Sequence, residues 1–324
     1  MKKRTALLAA LALALGLTAC GQSAAPPAED GRLRIMAANF PAYDLARAAC
    51  GDLAEVRLLL PPGAESHSYE PTPRNIIDVE NSDLFLYTGG ESDTWVDTIL
   101  ESLDRPVETL KLMDCVELLE EETLEGMTAH GHDHDHDDHD HEHGLGEVLE
   151  ADEHVWTSPV NAGRIAAAIA ARAAELDSAN ATVYEANAAA YQARIDDLDS
   201  RFRAFFTAVD HPVMVFGDRF PLRYFAEEYG VRCLAAFPGC STQTEPSAAT
   251  VAYLIEEIEE EHLSTVYYIE FSNHLVADSV AEAAGVDTAL FHSCHNVSQQ
   301  QLDDGVTYLS LMEENLETLR RTMG

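Results

Sequence analysis

The sequence predicts an α/β protein of two lobes, each a mainly parallel sheet with flanking helices, bridged by long helices. Three observations predict it. Short apolar runs alternate with helix-patterned segments from residue 32 to 112; a long Ala-rich stretch with helical spacing follows at 161–209; the alternation then resumes from 213. Alternation of this kind indicates βα units, because parallel strands need a long crossover and a helix supplies it.

In the first half, residues 32–38 (RLRIMAA), 55–60 (EVRLLL), 83–87 (DLFLY) and 107–112 read as strands, and 43–50, 74–81 and 94–102 as helices. Pro61-Pro62-Gly63 ends the second strand and Thr88-Gly89-Gly90 the third. Residues 161–176 form an Ala-rich helix broken at Asp177-Ser178. A second helix covers 181–209, where Tyr184, Ala188, Tyr191, Ile195, Leu198 and Phe202 recur at three- and four-residue steps. Such a stripe packs a core. In the second half, 213–216, 231–236, 265–270 (TVYYIE) and 288–292 (TALFH) are strands; 222–229, 247–262, 273–284 and 305–323 are helices. The expected division is an N-terminal lobe at 32–158, linking helices at 159–209 and a C-terminal lobe at 210–324.

An acidic insert at 117–150 interrupts the first lobe. Within it, HGHDHDHDDHDHEH places His130, His132, His134, His136, His139, His141 and His143 among aspartates and glutamates. Neutral imidazole suits borderline-soft divalent metals, and a His-rich tract reads as metal capture. A solvated charged spacer is the alternative reading. With no apolar residues to pack, the tract cannot shape a site by itself and is read as an accessory to one elsewhere.

Lys2, Lys3 and Arg4 precede an apolar run, residues 6–17, that is shorter than the about 20 residues a membrane span needs. Leu17-Thr18-Ala19-Cys20 resembles a bacterial lipobox. The expectation is a signal peptide at 1–19, lipidation of Cys20, a flexible tether at 20–31 and a chain held outside the cytoplasmic membrane by one lipidated end. A formal net charge of -37 repels nucleic acid and attracts cations, which excludes a nucleic-acid role. Beyond Cys20 the cysteines are Cys50, Cys115, Cys233, Cys240 and Cys294, with no CxxC pair for a thiolate zinc site. Their number is odd, and Cys233, in an apolar strand-like run, is the candidate for the buried thiol left over.

Ligands of open parallel sheets bind beyond the carboxyl ends of the strands. His67 follows the second strand in PPGAESHSYEPTP, an irregular loop. His154 lies in ADEHVWTSP, and His292 and His295 in FHSCHNVS at the end of the last strand. Asp218 and Glu270 also end strands but rank below the histidines, since a lone carboxylate there is more often a helix cap. Residues from both halves imply a cleft between lobes. Three histidines with an oxygen donor suit tetrahedral zinc, with Zn–N near about 2.0–2.1 Å; imidazole ligation argues against magnesium and calcium, less so against manganese.

PPGAESHSYEPTPRNIIDVENSDLFLYTGGES, DEHVWTSP, FGDRFPLRYFAEEYG, AFPGCSTQTEPS and HSCHNVS, in this order, resemble the metal-binding lipoproteins of zinc and manganese ABC importers, the cluster A-I (cluster 9) solute-binding family. The resemblance runs from about residue 33 to the end. It implies two Rossmann-like lobes bridged by a rigid helical backbone, with metal in the interlobe cleft, no catalysis, and delivery of the ion to a membrane permease by what is expected to be a monomer. His67 and His154 match the family's first two ligands. At the third, after VMVF, this chain has Gly217 and then Asp218. The family's last ligand is acidic, and HSCHNVS has no carboxylate there, so His295 or else His292 is inferred to donate, with Asp218 or water completing the shell. The His-rich insert, frequent in zinc-type members, favours zinc, with manganese or iron as the alternative. The resemblance also suggests disulfides Cys240–Cys294 and Cys50–Cys115. A zinc hydrolase is disfavoured by the lack of HExxH and GxSxG; a surface zinc scavenger or adhesin is the other reading.

Overall fold

The computed structural model describes residues 31–66, 68–121, 150–239 and 246–324. Cys20, His67, Cys240 and the His130–His143 run lie outside these residues.

Eight strands form two four-stranded parallel sheets among the described residues. The first holds β1 (Leu33–Ala37), β2 (Ala54–Leu58), β3 (Leu84–Tyr87) and β4 (Glu108–Lys111) in the order β2-β1-β3-β4. Its connections run through α1 (Phe40–Cys50), α2 (Pro73–Glu80) and α3 (Thr94–Glu101). Two helices follow, α4 (Pro159–Leu176) and α5 (Ala181–Ala208). The second sheet holds β5 (Val213–Phe220), β6 (Arg232–Pro238), β7 (Thr265–Tyr268) and β8 (Asp287–Leu290) in the order β6-β5-β7-β8. Its helices are α6 (Arg223–Tyr229), α7 (Ala248–Glu260) and α8 (Leu275–Ala284), and α9 (Gln299–Asp303) and α10 (Tyr308–Thr322) close the chain. Both sheets therefore use the same strand order, and each reverses direction beside its first strand. That reversal opens a crevice at the strand ends.

The helices start where side chains satisfy their free amides. Asn39 accepts from Ala42 N at the head of α1, Thr72 and Asn75 make a reciprocal capping box on α2, and Ser158 caps α4 with Pro159 in its first turn. The strands alternate as period two requires. Leu33, Ile35 and Ala37 enter the main core, while Met36 faces a second cluster with Phe85, Trp95 and Ile99 under α2 and α3. The α5 stripe, Tyr184 through Phe202, is buried as its spacing predicts, and Phe206 extends it. One core cluster runs without a break from β1 through α4 and α5 to α10. The lobes thus share one apolar core. Asp44 of α1 adds a polar tie, accepting from Tyr308 N of α10 at 2.8 Å.

Three local features differ from the sequence reading. β5 continues past Phe216 through a register shift between Phe216 and Arg219. The predicted closing helix begins only at Tyr308, and an additional short helix, α9, precedes Gly305, whose φ is +75°. The Cys50–Cys115 bridge is not formed. Both are separate thiols: Cys50 is fully buried at the end of α1, and Cys115 donates to Lys111 O within its own turn at 3.5 Å. Burial pushes their pKa values up, to about 12 and about 11. Cys294 is likewise a buried thiol, and its candidate partner Cys240 lies outside the described residues.

Candidate metal centre

The crevice site is built from three loops. The first follows β2. Pro61, Pro62 and Gly63 form a turn closed by Ala64 N donating to Pro61 O at 3.0 Å, with Gly63 at φ +76°, a left-handed conformation that favours glycine. A second turn closes from Ser66 O to Tyr69 N at 3.1 Å. Tyr69 then seats its ring edge-on to Trp95, centroids 5.0 Å apart.

The second loop carries His154, which is 1% exposed. Residues 119–121 and 150–152 pair antiparallel, through Glu121 N to Glu150 O at 2.8 Å and Asp152 N to Leu119 O at 2.9 Å. Tyr224 of the second lobe bridges both sides: its hydroxyl donates to Asp152 O and accepts from Leu119 N. Asp152 Oδ1 accepts the backbone N–H of His154 at 2.8 Å and faces its Nδ1 at 3.2 Å. A carboxylate can only accept there, so Nδ1 carries the proton and Nε2 keeps its lone pair, the arrangement that orients metal-bound histidines. Burial is the largest influence on this imidazole and pushes its pKa down; Asp152, Glu153 and Glu121 together outweigh it and hold the pKa above its ordinary value.

The third loop, after β8, carries His295. Cys294 stands at φ +59°, an uncommon conformation for a residue with a side chain. The turn aims the N–H groups of Ser293 and His295 at one carboxylate, Glu270, at 2.7 and 2.9 Å, and Ser293 Oγ adds a third donor at 2.7 Å. Successive N–H groups around such a turn make a nest for an anion; here the anion is the chain's own glutamate, just beyond β7.

These loops meet over Trp156. Its ring lies 5.5 Å from His154 and 5.2 Å from His295, its Nε1 donates to Ser293 O at 2.9 Å, and its carbonyl accepts from Tyr308 Oη at 2.8 Å. The two imidazoles stand 6.0 Å apart, nearly perpendicular. Beside them is a cavity of about 180 Å³ whose wall includes Ser66, His154, Arg219, Gly239, Glu270 and His295. His295 Nε2 is 3.1 Å from Ser66 Oγ, the residue before position 67.

The other candidates go elsewhere. His292 is buried against α10, where Asn315 bonds both its N–H and its carbonyl and Glu314 lies 3.4 Å from Nε2; it borders a separate open groove. Asp218 stitches the β5 irregularity, accepting from Arg219 N at 2.8 Å and Ile269 N at 3.2 Å. Gly217 admits no side chain: a Cβ would lie 2.3 Å from Ala277 Cα of α8. Glu270, ranked low on sequence, is in the cavity wall. Among the described residues no three His, Cys, Asp or Glu side chains converge enough to hold an ion on their own. The described candidates that meet at this cavity are His154 and His295, with Glu270 in its wall.

The comparisons agree with this two-sheet fold. The family model described as zinc-uptake complex component A, periplasmic, matches residues 35–322. The chain is similar to the zinc-binding lipoprotein AdcA of Streptococcus pneumoniae, 32% identical over 99% of this chain and 61% of that protein, so it spans about three fifths of that relative's length. It is similar to the high-affinity zinc uptake system protein ZnuA of Bacillus subtilis, 30% identical over 99% of this chain and 98% of that one. Among solved structures, the Zn(II)-bound ZnuA-like domain of S. pneumoniae AdcA aligns with a TM-score of 0.71 at 27% identity, covering 90% of this chain and 99% of that one. The chain belongs to the family of zinc-uptake complex component A, periplasmic.

Proposed function

We propose that this protein captures zinc in the interlobe cleft and delivers it to the membrane permease of an ABC importer. The observation that carries the reading is the pair of perpendicular imidazoles, His154 and His295, one from each lobe, set over Trp156 with the Nδ1 of His154 held by Asp152. His67, one residue beyond Ser66, is the third nitrogen donor of this proposal, and Glu270 holds the His295 loop. Three imidazoles suit zinc better than manganese. The activity is binding and release, not catalysis. The His130–His143 run would raise the local zinc concentration beside the cleft. Lipidation of Cys20 would keep the monomer outside the cytoplasmic membrane next to its permease; no helix of the described residues is long and apolar enough to cross a membrane.

The cleft reading is tested with cobalt(II) as a zinc surrogate and tryptophan emission as reporter. The chain has two tryptophans, Trp95 and Trp156. Emission from Trp156 should be quenched at one equivalent of cobalt(II) and restored by excess zinc, with Trp95→Phe responding normally. Equal quenching in Trp156→Phe, or none in the unaltered protein, would place the ion elsewhere.

A further inference from the structure

The loop after β2 is tied to the opposite lobe by one buried amide. Asn296 Nδ2 donates to two carbonyls across the crevice, Pro61 O at 3.2 Å and Ala64 O at 2.8 Å. The amide cannot flip at no cost, because its Oδ1 accepts Val297 N at 2.8 Å. Both amide hydrogens are therefore committed to the first lobe. Asn296 is 5% exposed and follows His295 directly.

Two further contacts reach the same loop. Arg219 Nη1 lies 3.2 Å from Glu65 Oε2, and His295 Nε2 lies 3.1 Å from Ser66 Oγ. The Arg219–Glu65 pair is partly exposed and contributes little on that account. The Ser66 contact uses a ring nitrogen that an ion would compete for. The Asn296 bonds are sheltered and leave the candidate ligands alone. Removing them takes from Ala64 O the donor at 2.8 Å, while Pro61 O keeps the Ala64 N–H of its own turn.

We infer that Asn296 is a positioning residue for metal retention: its amide holds the 61–66 loop on the second lobe, with Ser66 against His295 at the wall of the cavity that His154 also lines. Parting of the lobes breaks both bonds and withdraws that loop, which gives release a structural trigger that is not itself a ligand. The inference rests on the zinc-cleft reading.

The test follows zinc release from the loaded full chain into excess chromogenic chelator by stopped flow, for the unaltered protein, Asn296→Asp, Asn296→Ala and His154→Ala. Asn296→Asp keeps the shape but sets an acceptor against two carbonyls; Asn296→Ala removes the donors without adding charge and serves if the charged variant does not fold. Release should quicken about ten-fold or more in the Asn296 variants, with association changed by less than about three-fold. The cobalt(II) absorption of those variants should weaken as the cleft loosens around the ion. A merely structural role would lower the melting temperature of the metal-free and loaded forms alike, with release and absorption unchanged, and that result would overturn the inference. Unchanged release in the Asn296 variants beside fast release in His154→Ala overturns it alone; unchanged release in His154→Ala as well overturns the cleft reading with it.

Discussion

Asp152 and His154 are bonded twice, through the His154 backbone N–H at 2.8 Å and Nδ1 at 3.2 Å, and Asp152 also donates its own N–H to Leu119 O at 2.9 Å. The residue that orients a candidate ligand is thus part of the pairing between residues 119–121 and 150–152. Asp152→Ala frees the ring and its tautomer together. Zinc affinity should fall about 10–100-fold, the usual cost of losing such a partner, as measured by chelator competition. A truncation that keeps 119–121 and 150–152 should retain affinity where one that removes them does not.

Protons compete with zinc for imidazole. The His154 pKa is held above its ordinary value, so the apparent zinc affinity begins to fall as pH drops through that raised pKa. Asp152→Asn removes a carboxylate that favours the imidazolium, and should move the onset of zinc loss to lower pH even as affinity at high pH drops. Titrations of zinc binding at a series of pH values check the crossing.

Burial raises the Asp44 carboxyl pKa from 3.8 to about 6, with the Tyr308 N–H and nearby arginines opposing the rise. The folded state therefore holds this proton more tightly than the unfolded state. Its contribution to stability is fully present below 3.8 and is lost as pH rises through about 6. The loss is ~3 kcal/mol at about 1.4 kcal/mol per unit. Asp44→Asn keeps an acceptor for Tyr308 N and cannot ionise. Urea denaturation across this window should show a smaller decline in the variant than in the unaltered protein.

Gly217 follows VMVF, where the sequence resemblance leads one to expect a third ligand, but α8 fills the space beside it. Gly217→Ala should cost about 1–3 kcal/mol through overpacking against Ala277, and Gly217→His should destabilise further without tightening zinc binding. Denaturation midpoints and zinc titrations together check both halves.

The sheets were legible because the central strands are short apolar runs and several helices open on a capping side chain; Leu33, Ile35 and Met36 divide between two clusters as a period of two demands. The β5 irregularity was not, since Gly217-Asp218-Arg219 reads as a turn until β6 pairs with it on the far side. Glu270 ranked low for a related reason. Its three donors lie 23 and 25 residues onward, at Ser293 and His295, and become neighbours only through the β7–β8 pairing and the left-handed turn at Cys294. A carboxylate at the end of a strand next to the sheet's reversal point was the available signal. His292 and His295 are equivalent in sequence terms; the backbone of His292 is taken by Asn315, which seats that ring on α10.

The central claim is one tight zinc site in the cleft, independent of the His-rich run. The most direct measurement is a chelator-competition titration of the protein lacking residues 122–149, unaltered and with His154→Ala and His295→Ala. The account predicts one tightly bound zinc that either substitution weakens by about a hundred-fold or more. One tight zinc persisting in the double variant, or none in the unsubstituted truncated protein, would contradict it.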